Sequence, residues 1–262
     1  MISSIEVTDN GTIDISEGDS NLPNAYDPTD AGDTEATKQY TDALKLLSGS
    51  YGMSVSGIAV AHLDAVTSNV ASNPLMRLSF TVKDSARNLS TAFDDLQTKA
   101  AAGKIDSINI DPADVSGDPI TLTAAQGKSD AKAISLLASG TAVKIDDTAQ
   151  NILDNIADMK TLKANSAITL TVAPNDSSPP DLTIANMKDI KSVTDSTFGG
   201  LAYNIKDNIG NILNEAASDP DGIIAGATAI SVTETDPVNL TTAQATLLSG
   251  LSNMTMPTYN EV

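Results

Sequence analysis

The chain has no cysteine and no tryptophan, one histidine, three phenylalanines and five tyrosines. Without cysteine there is no disulfide framework, no thiol nucleophile and no thiolate metal site. One histidine excludes two-histidine zinc sites. That residue, His62, sits in the apolar "GIAVAHLDAV" and reads as packed or exposed rather than catalytic. Positive charge is also scarce: 15 basic against 34 acidic residues leave a formal net charge of -19. Such a field repels phosphate backbones, so nucleic-acid binding is excluded, and anionic membrane surfaces are disfavoured for the same reason. No apolar run comes near the roughly 18 residues that a spanning helix needs, so no membrane insertion is expected. The start, "MISSIEVTDNG", has neither a basic segment nor an apolar one, so no cleavable signal is visible. That leaves a cytosolic chain, an export signal outside this sequence, or a segment of a longer protein.

What is present is aliphatic. Hydrophobic residues make up 40% of the 262, enough for a core, and Ala, Ile, Leu and Val carry most of it. Small aliphatic cores suit thin, regularly layered folds. The acidic surface fits an extracellular, calcium-rich or saline setting, and equally an ordinary acidic bacterial protein.

Self-similarity organises the chain. "VKDSARNL" (Val82–Leu89) is answered by "KIDDTAQNI" (Lys144–Ile152) and "NIKDNIGNI" (Asn204–Ile212). "SINID" at Ser107 is answered by "AITLT" at Ala167 and "AISVT" at Ala229. "LTAAQ" at Leu122 is answered by "LTIAN" at Leu182 and "LTTAQ" at Leu240. These markers keep one order and a spacing of about 60 residues, the signature of a repeat array. The expected divisions are an N-terminal partial repeat over 1–77 with an acidic insertion at 17–36, repeats over 78–140 and 141–200, and a C-terminal repeat with the start of another strand over 201–262. The chain thus opens and closes inside a repeat, without the polar caps such arrays usually carry.

Each unit reads as β-α-β-(β)-α. A short alternating strand such as "LSFTV" or "TAVKI" comes first. An amphipathic helix follows, with Ala86, Leu89, Phe93 and Leu96 on one face, or Ala149, Ile152, Ile156 and Met159. A second strand, a Pro/Asp turn ("DPADVSGDP", "APNDSSPPD", "ETDP") and a second helix complete the unit. The glycines beyond it, Gly140, Gly199 and Gly200, are expected to stop that helix. Strands joined by helices favour parallel pairing with right-handed crossovers. The expected fold class is α/β, an elongated repeat solenoid with parallel strand stacking.

In this frame Asp84, Asp147 and Asp207 follow a strand and precede a helix, the place of an N-cap. An Asp there accepts from the free first-turn N–H groups, and its truncation to Ala costs about 1 kcal/mol. Asn88, Asn151 and Asn211 recur four residues later, where a ladder of amides tying one unit to its neighbour is expected. The rival reading is a repeated calcium or ligand site built from these oxygens. The third copy keeps the Asp and the Asn but loses the hydroxyl and guanidinium of Ser85 and Arg87, which argues against catalysis there.

The large departure from the repeat is "DISEGDSNLPNAYDPTDAGDTE" (Asp14–Glu35). Within it Asp27, Asp30, Asp33 and Glu35 are candidate Ca2+ ligands, since calcium favours clustered carboxylates on Gly- and Asn-containing loops. The spacing is not that of an EF-hand. A solvated acidic loop or an inter-subunit contact accounts for it as well. "GKS" at Gly127 shares only the end of a phosphate-loop pattern, and no GxSxG is present. No enzymatic activity is expected.

The alternation from "VKDSARNLSTAFDDLQTKAAAGKIDSINI" through "ITLTAAQ" to "DAKAISLLASGTAVKIDDTAQNI" resembles the repeats of very large bacterial secreted and cell-surface proteins, adhesin-like or surface-layer-like. In such proteins these repeats sometimes stand beside glycine-rich calcium-binding repeats, whose nonapeptides are not found here. The likeness covers nearly the whole chain, least well residues 17–36. It implies an extracellular structural or adhesive role with no active site to carry over. The partner expected first is the chain itself, as a filament, sheath or surface-layer subunit or a segment of a giant adhesin. The alternative is a calcium-dependent module that binds surface glycans or proteins.

Overall fold

The structure is a computed structural model that describes residues 5–7, 12–16, 47–49, 51–64, 76–194, 198–219 and 222–262. Its strands are β1 (Ile5–Val7), β2 (Thr12–Ser16), β3 (Leu47–Gly49), β4 (Tyr51–Ile58), β5 (Met76–Asp84), β6 (Ser107–Ile110), β7 (Ile120–Leu122), β8 (Thr141–Asp147), β9 (Ile168–Pro174), β10 (Asp181–Leu182), β11 (Asn204–Asp207), β12 (Ala229–Val232), β13 (Val238–Leu240) and β14 (Tyr259–Glu261). Its α-helices are α1 (Ala86–Thr91), α2 (Phe93–Ala101), α3 (Ala124–Ser129), α4 (Ala131–Ile134), α5 (Ala149–Asp154), α6 (Ile156–Lys163), α7 (Ile184–Val193), α8 (Ile209–Ala216), α9 (Ile223–Gly226) and α10 (Thr242–Ser249). From β5 onward the order is strand, helix, strand, strand, helix, three times over. The fold is mixed α/β, with parallel strands in small sheets.

Two compact units divide the chain. One comprises Met1–Thr121, Ser129–Val143 and Ala167–Thr169; the other comprises Leu122–Lys128, Lys144–Ser166 and Leu170–Val262. In the first, the sheet runs β2-β4-β5-β6, parallel at each pairing, and Leu137 adds a parallel bridge to Ile108. In the second, β10-β11-β12 is parallel, Met254 bridges Ile230, and β13 pairs with β14.

The register reveals the true step. Leu182 pairs with Ile205, Ile205 with Ile230, and Ile230 with Met254. In the first unit Met53 pairs with Leu78 and Val82 with Ile108. Each strand therefore lies beside the next one at a step of about two dozen residues, less than half the sequence period. The reason is an alternation. One strand runs straight into its helix, as β8 and β11 do; the next is interrupted by a Pro/Asp turn, as in β6–β7 and β12–β13. Like aligns with like only at every second strand–helix step, and the sequence period is two such steps plus the added turn and strand between β6 and β7 or β12 and β13.

Local patterns explain the elements. In β8 the buried residues Thr141, Val143 and Ile145 alternate with half-buried ones, the period of a pleated strand. Ala86, Leu89, Phe93 and Leu96 are all fully buried, as their helical spacing requires. Phe80, Val82, Leu89, Phe93, Leu96 and Ile108 are core residues of the first unit. In the second, Met187, Ile190, Tyr203, Ile205, Ile212 and Ile230 belong to one cluster. Each such aliphatic or phenyl side chain contributes about 1.5–3 kcal/mol on leaving water.

The glycines do not stop helices as expected. Helix α4 ends at Ile134, well before Gly140. Gly140 and Gly200 have φ of 84° and 81°, the left-handed region that a Cβ disfavours, and each serves a turn into the next strand. Helix α7 closes on Thr194, whose hydroxyl donates to the Ile190 carbonyl (2.9 Å).

Candidate functional site: carboxylate rungs at helix starts

Asp84, Asp147 and Asp207 are the last residues of β5, β8 and β11. Each splits its two oxygens between two tasks. Oδ1 of Asp207 accepts from the Asn208 N–H (2.8 Å) and from Asn211 Nδ2 (2.8 Å). Oδ2 accepts from the N–H of Ile184 (2.9 Å), the first residue of a helix one step earlier. Asp84 does the same toward Ser85, Asn88 and Val60 (2.7, 2.8 and 2.9 Å). Asp147 does so toward Thr148, Asn151 and Ala124 (2.8, 2.6 and 3.0 Å).

This exchanges the roles expected from sequence. The N-cap is the residue after each aspartate: Ser85, Thr148 and Asn208 accept from the N–H groups of Asn88, Asn151 and Asn211. The third copy thus loses its hydroxyl without losing its cap, because an amide oxygen accepts as well as a hydroxyl does. The inter-strand tie is made by the aspartates, and the asparagines do not form a ladder. Each asparagine side chain holds the aspartate of its own turn.

Further rungs arise in the Pro/Asp turns. Asp114 Oδ2 accepts from the Ala86 N–H (2.9 Å), Asp176 Oδ2 from Ala149 (2.8 Å) and Glu234 Oε1 from Ile209 (2.9 Å). The turns differ in length, so these acids do not align. Their common signal is an acid a few residues past a strand. Helix starts are thus satisfied twice, at the third residue by the local cap and at the first by a carboxylate from the following strand or turn. Both contacts place negative charge at the positive helix end. At α10 the last acid deviates: Glu261 takes the Thr242 hydroxyl (2.6 Å). There Thr241 and Gln244 form a capping box, and Thr123 and Gln126 exchange the same pair of bonds.

Lysines tie successive helices to one another. Within the first unit Lys99, with only 10% of its side chain exposed, reaches Asp64 (2.5 Å) and Asp95 (2.9 Å). Burial alone would lower its pKa, but the two carboxylates outweigh that and raise it. Within the second, Lys160 pairs with Asp189 (2.7 Å) and Lys188 with the buried Glu215 (2.8 Å).

The "GKS" glycine has a packing task. A Cβ on Gly127 would come within 2.7 Å of Met159 Cε and 3.0 Å of Leu162 Cδ1. The candidate calcium ligands Asp27, Asp30, Asp33 and Glu35 lie outside the described residues, as does the side chain of His62. Among the described residues no group of three or more His, Asp or Glu could hold a metal ion, and no helix is long and apolar enough to cross a membrane. Chemically, the rungs are hydrogen-bond acceptors that bind the fold to itself. Comparisons with protein-family models, curated proteins and solved structures find no match.

Proposed function

We propose that this chain is a structural repeat protein of the bacterial cell surface or extracellular matrix, a solenoid that self-associates as a filament, sheath or surface-layer subunit or acts as a segment of a giant adhesin. The observation that carries this reading is the run of carboxylate rungs, Asp84, Asp114, Asp147, Asp176, Asp207 and Glu234. Acids that in an enzyme or a calcium module would face a ligand are here consumed in joining one strand–helix step to the next. That is the economy of a spacer, in which each unit rests on its neighbours.

Association proceeds through unpaired strand edges. Strand β14 supports this: among the described residues it pairs with β13 alone, and all three of its residues are exposed. Met256, Tyr259 and Val262 are three of the four large hydrophobic residues exposed among those described. The test is light scattering over a concentration series, with electron microscopy, each with and without calcium. Concentration-dependent elongated assemblies are expected, and Tyr259→Pro, which removes an N–H that points away from β13, should weaken them. Compact monomers at every concentration would refute the proposal.

A further inference from the structure

In the first unit, α2 and α4 lie against each other, joined by the Ala133 N–H donating to Gln97 Oε1 (2.8 Å). Asp130, immediately before α4, is only 3% exposed. Its Oδ1 accepts from the Ser129 hydroxyl (2.7 Å), while its Oδ2 is buried with no hydrogen-bond donor. The charged side chain within hydrogen-bonding reach is another acid, Asp94, in the first turn of α2. Among the described residues no lysine or arginine pairs with Asp130. Lys99, also on α2, is held by Asp64 and Asp95; Lys128 pairs with Asp158 (3.7 Å); Lys132, on α4, is exposed.

The helix-to-helix contacts elsewhere join lysine to acid: Lys99 to Asp64, Lys160 to Asp189, Lys188 to Glu215. This contact joins acid to acid. Two carboxylates at hydrogen-bond distance, one out of water, do not both stay ionised. A bridging metal is the less fitting remedy, because two carboxylates are fewer oxygens than calcium takes and the neighbouring hydroxyl is already spent as a donor.

We propose that Asp130 keeps its proton in the folded chain and donates it from Oδ2 to the Asp94 carboxylate, forming an acid-set joint between α2 and α4. The proton lies between Asp130 Oδ2 and the Asp94 carboxylate, satisfying the buried oxygen and removing the like-charge contact. Burial, and next the Asp94 carboxylate, push the Asp130 carboxyl up, against the opposing pull of the Ser129 hydroxyl. The sign follows. A carboxyl raised on folding binds its proton more tightly in the folded state, so its stabilisation is complete below the unfolded value of about 4 and is lost as pH rises through the folded value. The joint tightens as the medium acidifies from neutral.

The test uses the full chain. Carbon-13 NMR of the aspartate carboxyl carbons should show Asp130 titrating above the ordinary carboxyl value of about 4. Asp94→Asn puts an amide donor beside Asp130 Oδ2. It should raise the Tm near neutral pH and flatten the difference in Tm between mildly acidic and neutral buffer. Calcium chloride should leave the wild-type Tm near neutrality unchanged. Titration of Asp130 near about 4 would overturn the proposal, as would a lower neutral Tm in Asp94→Asn with an unchanged pH profile. A calcium-dependent rise in Tm that Asp94→Asn abolishes would replace the proton with a bridging cation.

Discussion

Replacing Asp207 with alanine separates a rung from an ordinary helix cap. Asp207 is 5% exposed and accepts four hydrogen bonds: from the Asn208 N–H and side chain, from Asn211 Nδ2, and from the buried Ile184 N–H. Bonds to an ionised acceptor contribute about 1.5–3 kcal/mol each, and a buried donor left unpaired costs about 1–3 kcal/mol. Asn208 and Asn211 are exposed and turn to water when the carboxylate goes, so they add little. The Ile184 N–H has no such recourse. The expected loss is therefore about 3 kcal/mol, against about 1 kcal/mol for removing a cap such as Asn208. Asp207→Asn keeps the volume but offers one acceptor where two were used, and an intermediate loss of about 1–2 kcal/mol follows. Urea unfolding followed by circular dichroism gives the total. Native-state amide exchange at Ile184 gives the mechanism, since it reports that one N–H whether or not unfolding is all-or-none. The reasoning fails if Asp207→Ala costs no more than Asn208→Ala and Ile184 keeps its protection.

Other consequences are as direct. Burial, and then the negative charge of Asp219, push the Tyr203 phenol up to about 12. In a tyrosinate absorbance titration Tyr203 should therefore ionise late, and Tyr203→Phe should remove that late step. A Cβ on Gly226 would meet Tyr203 Oη at 2.7 Å, and that hydroxyl donates to the Ile223 carbonyl (2.8 Å). Gly226→Ala should accordingly cost about 1–3 kcal/mol in urea unfolding, with a fall in the tyrosine pKa. Asp114 is held below the usual carboxylate range by the Ser116 hydroxyl and next by the Ala86 N–H. A carboxyl lowered on folding stabilises above its unfolded value of about 4 and stops doing so as pH falls through its folded value. Asp114→Asn should then reduce stability at neutral pH while leaving it unchanged in strong acid, measured as Tm across a pH series.

The calcium ligands proposed from sequence stand apart, since Asp27, Asp30, Asp33 and Glu35 are not among the described residues. Their clustering is a fact of the sequence alone. Metal titration of the full chain against Asp30→Asn/Asp33→Asn decides between binding and solvation.

Strand alternation and helix faces were legible because each is set within a few residues: Val143 and Ile145, or Leu89 and Phe93, meet the core by their own spacing. The aspartate positions were legible too, because the strand-to-helix joint recurs with the same neighbours. Their task was not. Whether Oδ2 of Asp207 caps its own helix or reaches Ile184 depends on which strand lies alongside, and no local pattern carries that. The Asp114, Asp176 and Glu234 rungs were hidden for a second reason: they sit in turns of unequal length, where alignment has nothing to hold. The step between neighbouring strands was hidden for the opposite reason, since alignment matches every second strand–helix step and passes over the one between.

The sequence by itself determined a charge that repels nucleic acid, a thiol-free aliphatic core, alternating strands and helices, and an aspartate–asparagine pair at fixed joints. Those follow from composition and from periods of two and of about 3.6 residues, which need no knowledge of distant chain. Only the tertiary structure decided which N–H each carboxylate satisfies, why Gly127 has no side chain, and that the buried Asp130 faces Asp94. Each of those is a contact between residues far apart in the chain, and it exists only once parallel pairing has brought successive strands into register.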